Sequence, residues 1–302
     1  MRRAQTALLL LGAQNRCYAT TTRRRAQLRS LGRRASLEIS PHQVEQLVGA
    51  RDHLAIPKTI FVNMVQADAA HFEAVAAACE ALRAAGLEAV PHVPASRFDD
   101  DAHAGRVLDE LSAAGATSAL VVAGNDFDGS APDVDAVAAL ARSRGFRCFF
   151  AGFPEGHPHD SSGGARLAAK LAPASAGVVT QFVRDPAVLG EWLDGARPAA
   201  DTVFVGVPGP ATRQRLAQMA ALCGVGPSVY VDAYDVDDDD GDDALLAPAA
   251  DVGALADYLG SSEGNVRLHV YPFGGLDAAL VFLDALASKG ILWEPGGFGA
   301  GG

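Results

Sequence analysis

Eight short β-rich runs alternate with eight Ala- and Leu-rich runs of helical character between residues 35 and 286. The β-rich runs fall at 35–39, 59–65, 88–93, 118–123, 147–152, 177–182, 202–207 and 266–271. The helical runs fall at 42–50, 69–85, 101–114, 133–144, 165–171, 186–193, 211–223 and 276–286. In the second of these, Phe72, Val75, Ala76, Cys79 and Leu82 recur at helical spacing. Pro186 suits a first helical turn. Runs 118–123 and 202–207 are almost continuously apolar, as strands buried on both faces of a parallel sheet must be. Eight βα units in about 270 residues predict an α/β fold, a (β/α)8 TIM barrel. The runner-up is a doubly wound open sheet. No Gly-x-Gly-x-x-Gly follows an early strand, which weighs against its dinucleotide-binding form.

The barrel is expected over residues 35–294, followed by a Gly-rich tail at 295–302. Segment 224–265 is irregular and carries an acidic run from Asp235 to Asp243. With Gly241 at the glycine position of a calcium loop, Val236 and Ala247 would be its end ligands, so that reading fails. A solvated acidic loop is expected instead.

Charge is unevenly distributed. The chain has 302 residues and a net charge of −11, yet residues 1–34 hold nine arginines and no acid. The remainder carries 16 basic residues against 36 acidic ones. That balance argues against nucleic acid as a partner. The Arg-rich, acid-free segment, with Thr20, Thr21 and Thr22, has the composition of an organelle transit peptide. Residues 1–34 are therefore expected to be a disordered basic leader. A mitochondrial matrix address is expected, with plastid or cytoplasm as alternatives. The apolar run 7–11 is too short to span a bilayer, so no integral membrane segment is expected. The four cysteines are scattered and form no Cys-x-x-Cys motif, which fits a reducing compartment.

In a barrel of this type, functional groups come from the C-terminal strand ends and the loops after them. Those ends supply Glu38, Asn63, His92, Asn125 with Asp126, the segment Phe153 to His157, Gln181 and Tyr271. His157 and His159 could suggest a metal, but the intervening proline and the lack of a completing acid or Cys motif leave no ligand set. No metal is expected.

The same residues carry a resemblance. Phe153-Pro-Glu-Gly-His157-Pro resembles the Tyr-Pro-Glu-x-His-Pro motif of methylenetetrahydrofolate reductases, and Thr180-Gln181-Phe182 their Thr-Gln-Phe strand end. Ser36-Leu-Glu38-Ile-Ser-Pro41, Pro91-His92 and Pro208-Gly209 follow the family order over residues 35–290. The resemblance implies FAD-dependent reduction of 5,10-methylenetetrahydrofolate to 5-methyltetrahydrofolate, with NADH or NADPH reducing the flavin first. It also implies a folate substrate and a homo-oligomer. Two alternatives stand beside it. One is a divergent barrel with weak or no flavin, acting on another one-carbon or folate substrate. The other is a non-catalytic folate-binding protein.

By this resemblance Glu38 is the general acid that opens the folate ring. Its apolar neighbours Leu37 and Ile39 are expected to raise its pKa toward neutrality. Gln181 orients the substrate, with Asp126 and Phe182 beside it. Asn63, His92, Asn125, Asp126, Phe153, His157, Lys170 and Tyr271 are the cofactor-binding candidates. The family Arg-Gly-Asp reads Gly124-Asn125-Asp126 here, so either Asn125 or Asp126 takes the place of the acid. Phe153 replaces the family Tyr and can stack but not donate a hydrogen bond. Lys170, eleven residues before Gln181, follows a shortened Gly-rich segment.

Overall fold

The computed structural model describes residues 22–64, 69–124, 133–156, 167, 175–183, 186–196, 200–223, 245–247, 252–253, 255–257 and 264–292. Eight parallel strands close in chain order: β1 (Ser36–Ile39), β2 (Thr59–Val62), β3 (Glu88–Pro94), β4 (Ser118–Val122), β5 (Arg147–Gly152), β6 (Ser175–Phe182), β7 (Val203–Pro208) and β8 (Val266–Tyr271). β8 returns to β1, with Ser36 opposite His269. The chain is therefore a (β/α)8 TIM barrel, and the open-sheet alternative is excluded by the closure.

Helices α1 (Thr22–Arg33), α2 (Val44–Ala50), α3 (Ala69–Ala84), α4 (Asp101–Ala113), α5 (Val134–Ser143), α6 (Pro186–Ala196), α7 (Arg213–Leu222) and α8 (Leu276–Asp284) are described. Alternation along each strand sorts the core into two layers. Leu37, Ile39, Ile60 and Val62 point outward and pack with helix residues such as Leu82, Leu108 and Leu283. Phe61, Val90, Leu120, Phe149, Val179 and Phe204 point inward and fill the barrel. Phe61 meets Phe149 and Phe204 edge-on, with centroids 5.6 and 5.5 Å away. This aromatic plug is a packed floor, so any ligand must sit above it at the strand ends.

The expected boundary at residue 34 needs correction. Residues 22–33 form α1, whose Leu28 and Leu31 are 0% and 2% exposed. The helix packs on the π-turn Ala285–Lys289 that extends α8. A Cβ on Gly32 would come within 2.6 Å of the Ala287 backbone nitrogen, so only glycine permits this approach. Arg24 pairs with Asp257 and donates to the Gly253 carbonyl at 2.8 Å. Arg33 and Arg34 donate to the carbonyls of Ala287 and Gly264 at 3.3 and 3.2 Å. These arginines are structural anchors. The helix was hidden in the sequence because so few apolar residues mark its buried face. Residues 1–21 and 293–302 lie outside the described residues, as do Asn125, Asp126, His157, Lys170 and the acidic run.

One backbone approach gives a direct test of the barrel wall. Gly177 has φ +145°, and a Cβ there would fall onto the Thr202 carbonyl. Gly177→Ala combines a steric clash with an unfavourable φ and is expected to cost about 3–5 kcal/mol. Chemical denaturation should register it as a lower midpoint at unchanged slope. An unshifted midpoint would show that β6 can slide past β7.

Candidate functional site

The C-terminal ends of β1, β2, β3 and β8 bring one ionisable cluster together. Glu38 stands inward next to the end of β1, opposite Phe61 across the β1–β2 register. Its Oε2 lies 3.4 Å from His92 Nε2 on β3 and 3.7 Å from His269 Nε2 on β8. Both distances are longer than good hydrogen bonds. Asn63, just past β2, donates a side-chain hydrogen bond to the carboxylate. The Phe61 ring edges against both imidazoles, at 4.9 Å from His269 and 6.3 Å from His92.

Burial pushes the Glu38 carboxyl up, but His92, His269 and Asn63 outweigh it and hold the group below its ordinary value. The expectation of a raised pKa is thus overturned. It rested on Leu37 and Ile39, which point away from the site into the outer core, as alternation requires. Burial lowers the His92 pKa; the nearby Glu38 charge opposes this and His269 adds to it.

His269 is fully buried, and sequence reasoning passed over it. The signal was there: Tyr271 was singled out on β8, and residue 269 shares its face by the two-residue period. Ser36 is the corresponding partner of Glu38 on β1. Ser36 Oγ lies 2.8 Å from His269 Nδ1 and 3.4 Å from the Leu268 carbonyl. The 2.8 Å contact is the short one, and the tautomer of the imidazole sets which of the two atoms donates in it. His269 Nε2 has no hydrogen-bond partner and faces Glu38.

A second group lies at the ends of β6 and β8. Gln181 is half-buried, and its Nε2 donates to the Cys223 carbonyl at 2.7 Å. Tyr271 donates its hydroxyl to the Thr180 carbonyl at 2.8 Å and stacks on Phe273 at 5.5 Å. Burial, then the charges of Glu38 and Cys223, push the Tyr271 phenol well up. The Cys223 thiol is pushed up by burial and by Glu38, against a lowering hydrogen bond from Gln181. The two groups therefore share one electrostatic environment. Gly206 makes this possible: a Cβ there would meet the Thr180 oxygen at 2.5 Å and the Tyr271 ring at 2.7 Å. Phe182, expected beside the substrate, is buried against Ala220 and Phe273. Phe153 follows β5 and is half-buried.

So the structure gathers Glu38, Asn63 and His92 around one carboxylate, and Gln181 and Tyr271 beside it. It adds Ser36, His269 and Cys223. Among the described residues no group of three His, Cys, Asp or Glu could hold a metal ion. Among them, too, no helix is long and apolar enough to cross a membrane.

No family model matches the sequence. The fold is similar to that of an uncharacterized protein from Clostridium thermocellum that binds two copies of 5-methyl-5,6,7,8-tetrahydrofolic acid. The TM-score is 0.60 at 8% identity, over 87% of this chain and 96% of that one. It is also similar to a mutant tryptophan synthase α-subunit from Pyrococcus furiosus, with TM-score 0.50 at 13% identity over 86% and 98%. The similarity is one of fold. At such identities a shared barrel says nothing of shared chemistry, so function must be argued from the site.

Proposed function

We propose that the protein is a methylenetetrahydrofolate reductase-like enzyme that reduces 5,10-methylenetetrahydrofolate to 5-methyltetrahydrofolate. The carrying observation is the joint placement of Glu38 and Gln181, the acid and the substrate-orienting residue of the motif resemblance, in one electrostatically coupled mouth. The folate bound by the Clostridium thermocellum barrel supports the same ligand class.

Asn63 Oδ1 is a buried acceptor with no partner, which fits the N–H edge of a flavin ring. Asn63 and Phe153 would help hold FAD, together with the candidates outside the described residues. When bound, FAD would supply hydride storage between NADH or NADPH and the one-carbon unit. The chain's own residues do the proton work. Ser36 orients the His269 ring, whose Nε2 faces Glu38. Glu38 passes a proton to the ring nitrogen that leaves the one-carbon bridge. Gln181 holds the substrate edge, and the aromatic floor excludes water from below.

A flavin-free folate-binding barrel is the second reading. It is favoured by the engagement of two cofactor candidates elsewhere: His92 with Glu38, and Tyr271 with Thr180. One preparation separates the readings. Purified protein is expected to be yellow, to bleach with NADH or NADPH, and to recover colour with 5,10-methylenetetrahydrofolate. Colourless protein that FAD cannot reconstitute, yet binds 5-methyltetrahydrofolate, selects the second reading. Failure to bind any folate rejects both.

A further inference from the structure

Gln181 does more than reach into the mouth; it also closes the end of a helix. Cys223 is the C-cap of α7, and its carbonyl belongs to the last turn, where helix acceptors lack intrahelical donors. The Gln181 Nε2–H fills that role at 2.7 Å. A backbone carbonyl carries no proton, so the amide can turn only its NH2 group toward it. The other end of the carboxamide, Oε1, is then an acceptor only. The Tyr271 hydroxyl donates to the carbonyl of the residue preceding Gln181, Thr180.

We propose that the C-terminal end of α7, through the Cys223 carbonyl, is the positioning element that fixes the Gln181 amide with Oε1 as acceptor, so that the site selects ligands offering an N–H at that point. The ligand class is a planar heterocycle with amide or amino N–H groups on one edge. This rests on the folate reading for the ligand, but not for the positioning. It makes the helix end a specificity determinant: an analogue whose matching edge atom only accepts hydrogen bonds would face two opposed lone pairs. It also ties ligand occupancy to α7.

Gln181→Glu tests the idea, because shape is kept and the donor becomes titratable. A carboxylate would face the Cys223 carbonyl and repel it, whereas a carboxylic acid can donate to it and leave an acceptor outward. With 5-methyltetrahydrofolate as probe, the variant's affinity relative to wild type is expected to fall about 30-fold at pH 8 and to recover substantially by pH 5.5. A wild-type-to-variant ratio that does not change with pH overturns the positioning. Thermal melting without ligand gives an independent reading. The variant should melt several degrees below wild type at pH 8, with a smaller gap at pH 5.5. If wild type ignores the probe but the melting gap is pH-dependent, the folate reading fails and the positioning stands. If the gap is constant, the positioning fails whatever the ligand.

Discussion

On the proposed reductase function, Glu38→Gln is expected to lower turnover of 5,10-methylenetetrahydrofolate by about 10³-fold, while 5-methyltetrahydrofolate still binds within a few-fold of wild type. Glutamine keeps the shape of the carboxylate and can still meet the imidazoles, but it cannot take or give a proton. Loss of a positioned acid typically costs 10²–10⁴-fold, about 3–5 kcal/mol of barrier. The contrast between rate and affinity identifies proton transfer, because a merely structural glutamate would lower both together. Bleaching by NADH or NADPH should survive, since that hydride transfer needs no acid at the folate. Steady-state turnover beside equilibrium binding reads the split, and near-normal turnover would remove Glu38 from the chemistry.

The same site sets an acid limit to stability. Glu38 titrates below its ordinary value in the fold, so its contribution is complete above the unfolded-state value near 4.5. It is lost as pH falls through the lower folded value. His92 is also held down, chiefly by burial, so the fold prefers it neutral. Its contribution is present above about 6.5 and declines as pH falls below that, where the unfolded chain takes up the proton first. Wild type should therefore lose melting temperature in two stages on acidification, the second absent in Glu38→Gln.

The barrel was legible because burial on both faces writes itself into the chain as apolar runs. The strand bounds expected at 147–152 and 266–271 recur unchanged in β5 and β8. The site was legible only where a polar residue interrupts such a run near its end, as with Glu38, His92 and Gln181. His269 was missed because a histidine two places before a conspicuous tyrosine looks like ordinary core. Its meaning comes from Ser36 across the β1–β8 seam, a pairing between chain ends that local sequence does not encode. The Glu38 pKa direction was misread for a related reason: sequence neighbours lie on the opposite face of a strand, and the groups that matter sit on other strands. Gln181's bond to Cys223 spans 42 positions and ends on a backbone atom, so residue type carried no hint of it.

Truncation at two points should separate address from structure. Removal of residues 1–21 is expected to leave the melting temperature within about 2 °C, whereas removal of residues 1–33 should lower it by more than 10 °C or prevent soluble expression. Two fully or nearly fully buried leucines leave the core in the longer truncation, each worth about 2–3 kcal/mol of apolar burial. The Ala287 backbone and the carbonyls of Gly253 and Ala287 lose their partners at the same time. Exposed Leu286 and Ala287 would then offer a sticky seam. The milder Leu28→Ala should already cost about 2–5 kcal/mol, because no backbone change can collapse the space it leaves between α1 and the π-turn. If residues 1–34 were one disposable leader, the two truncations would melt alike. Any cleavage that leaves the fold intact must then fall ahead of α1, and Arg24, Arg33 and Arg34 belong to the folded protein.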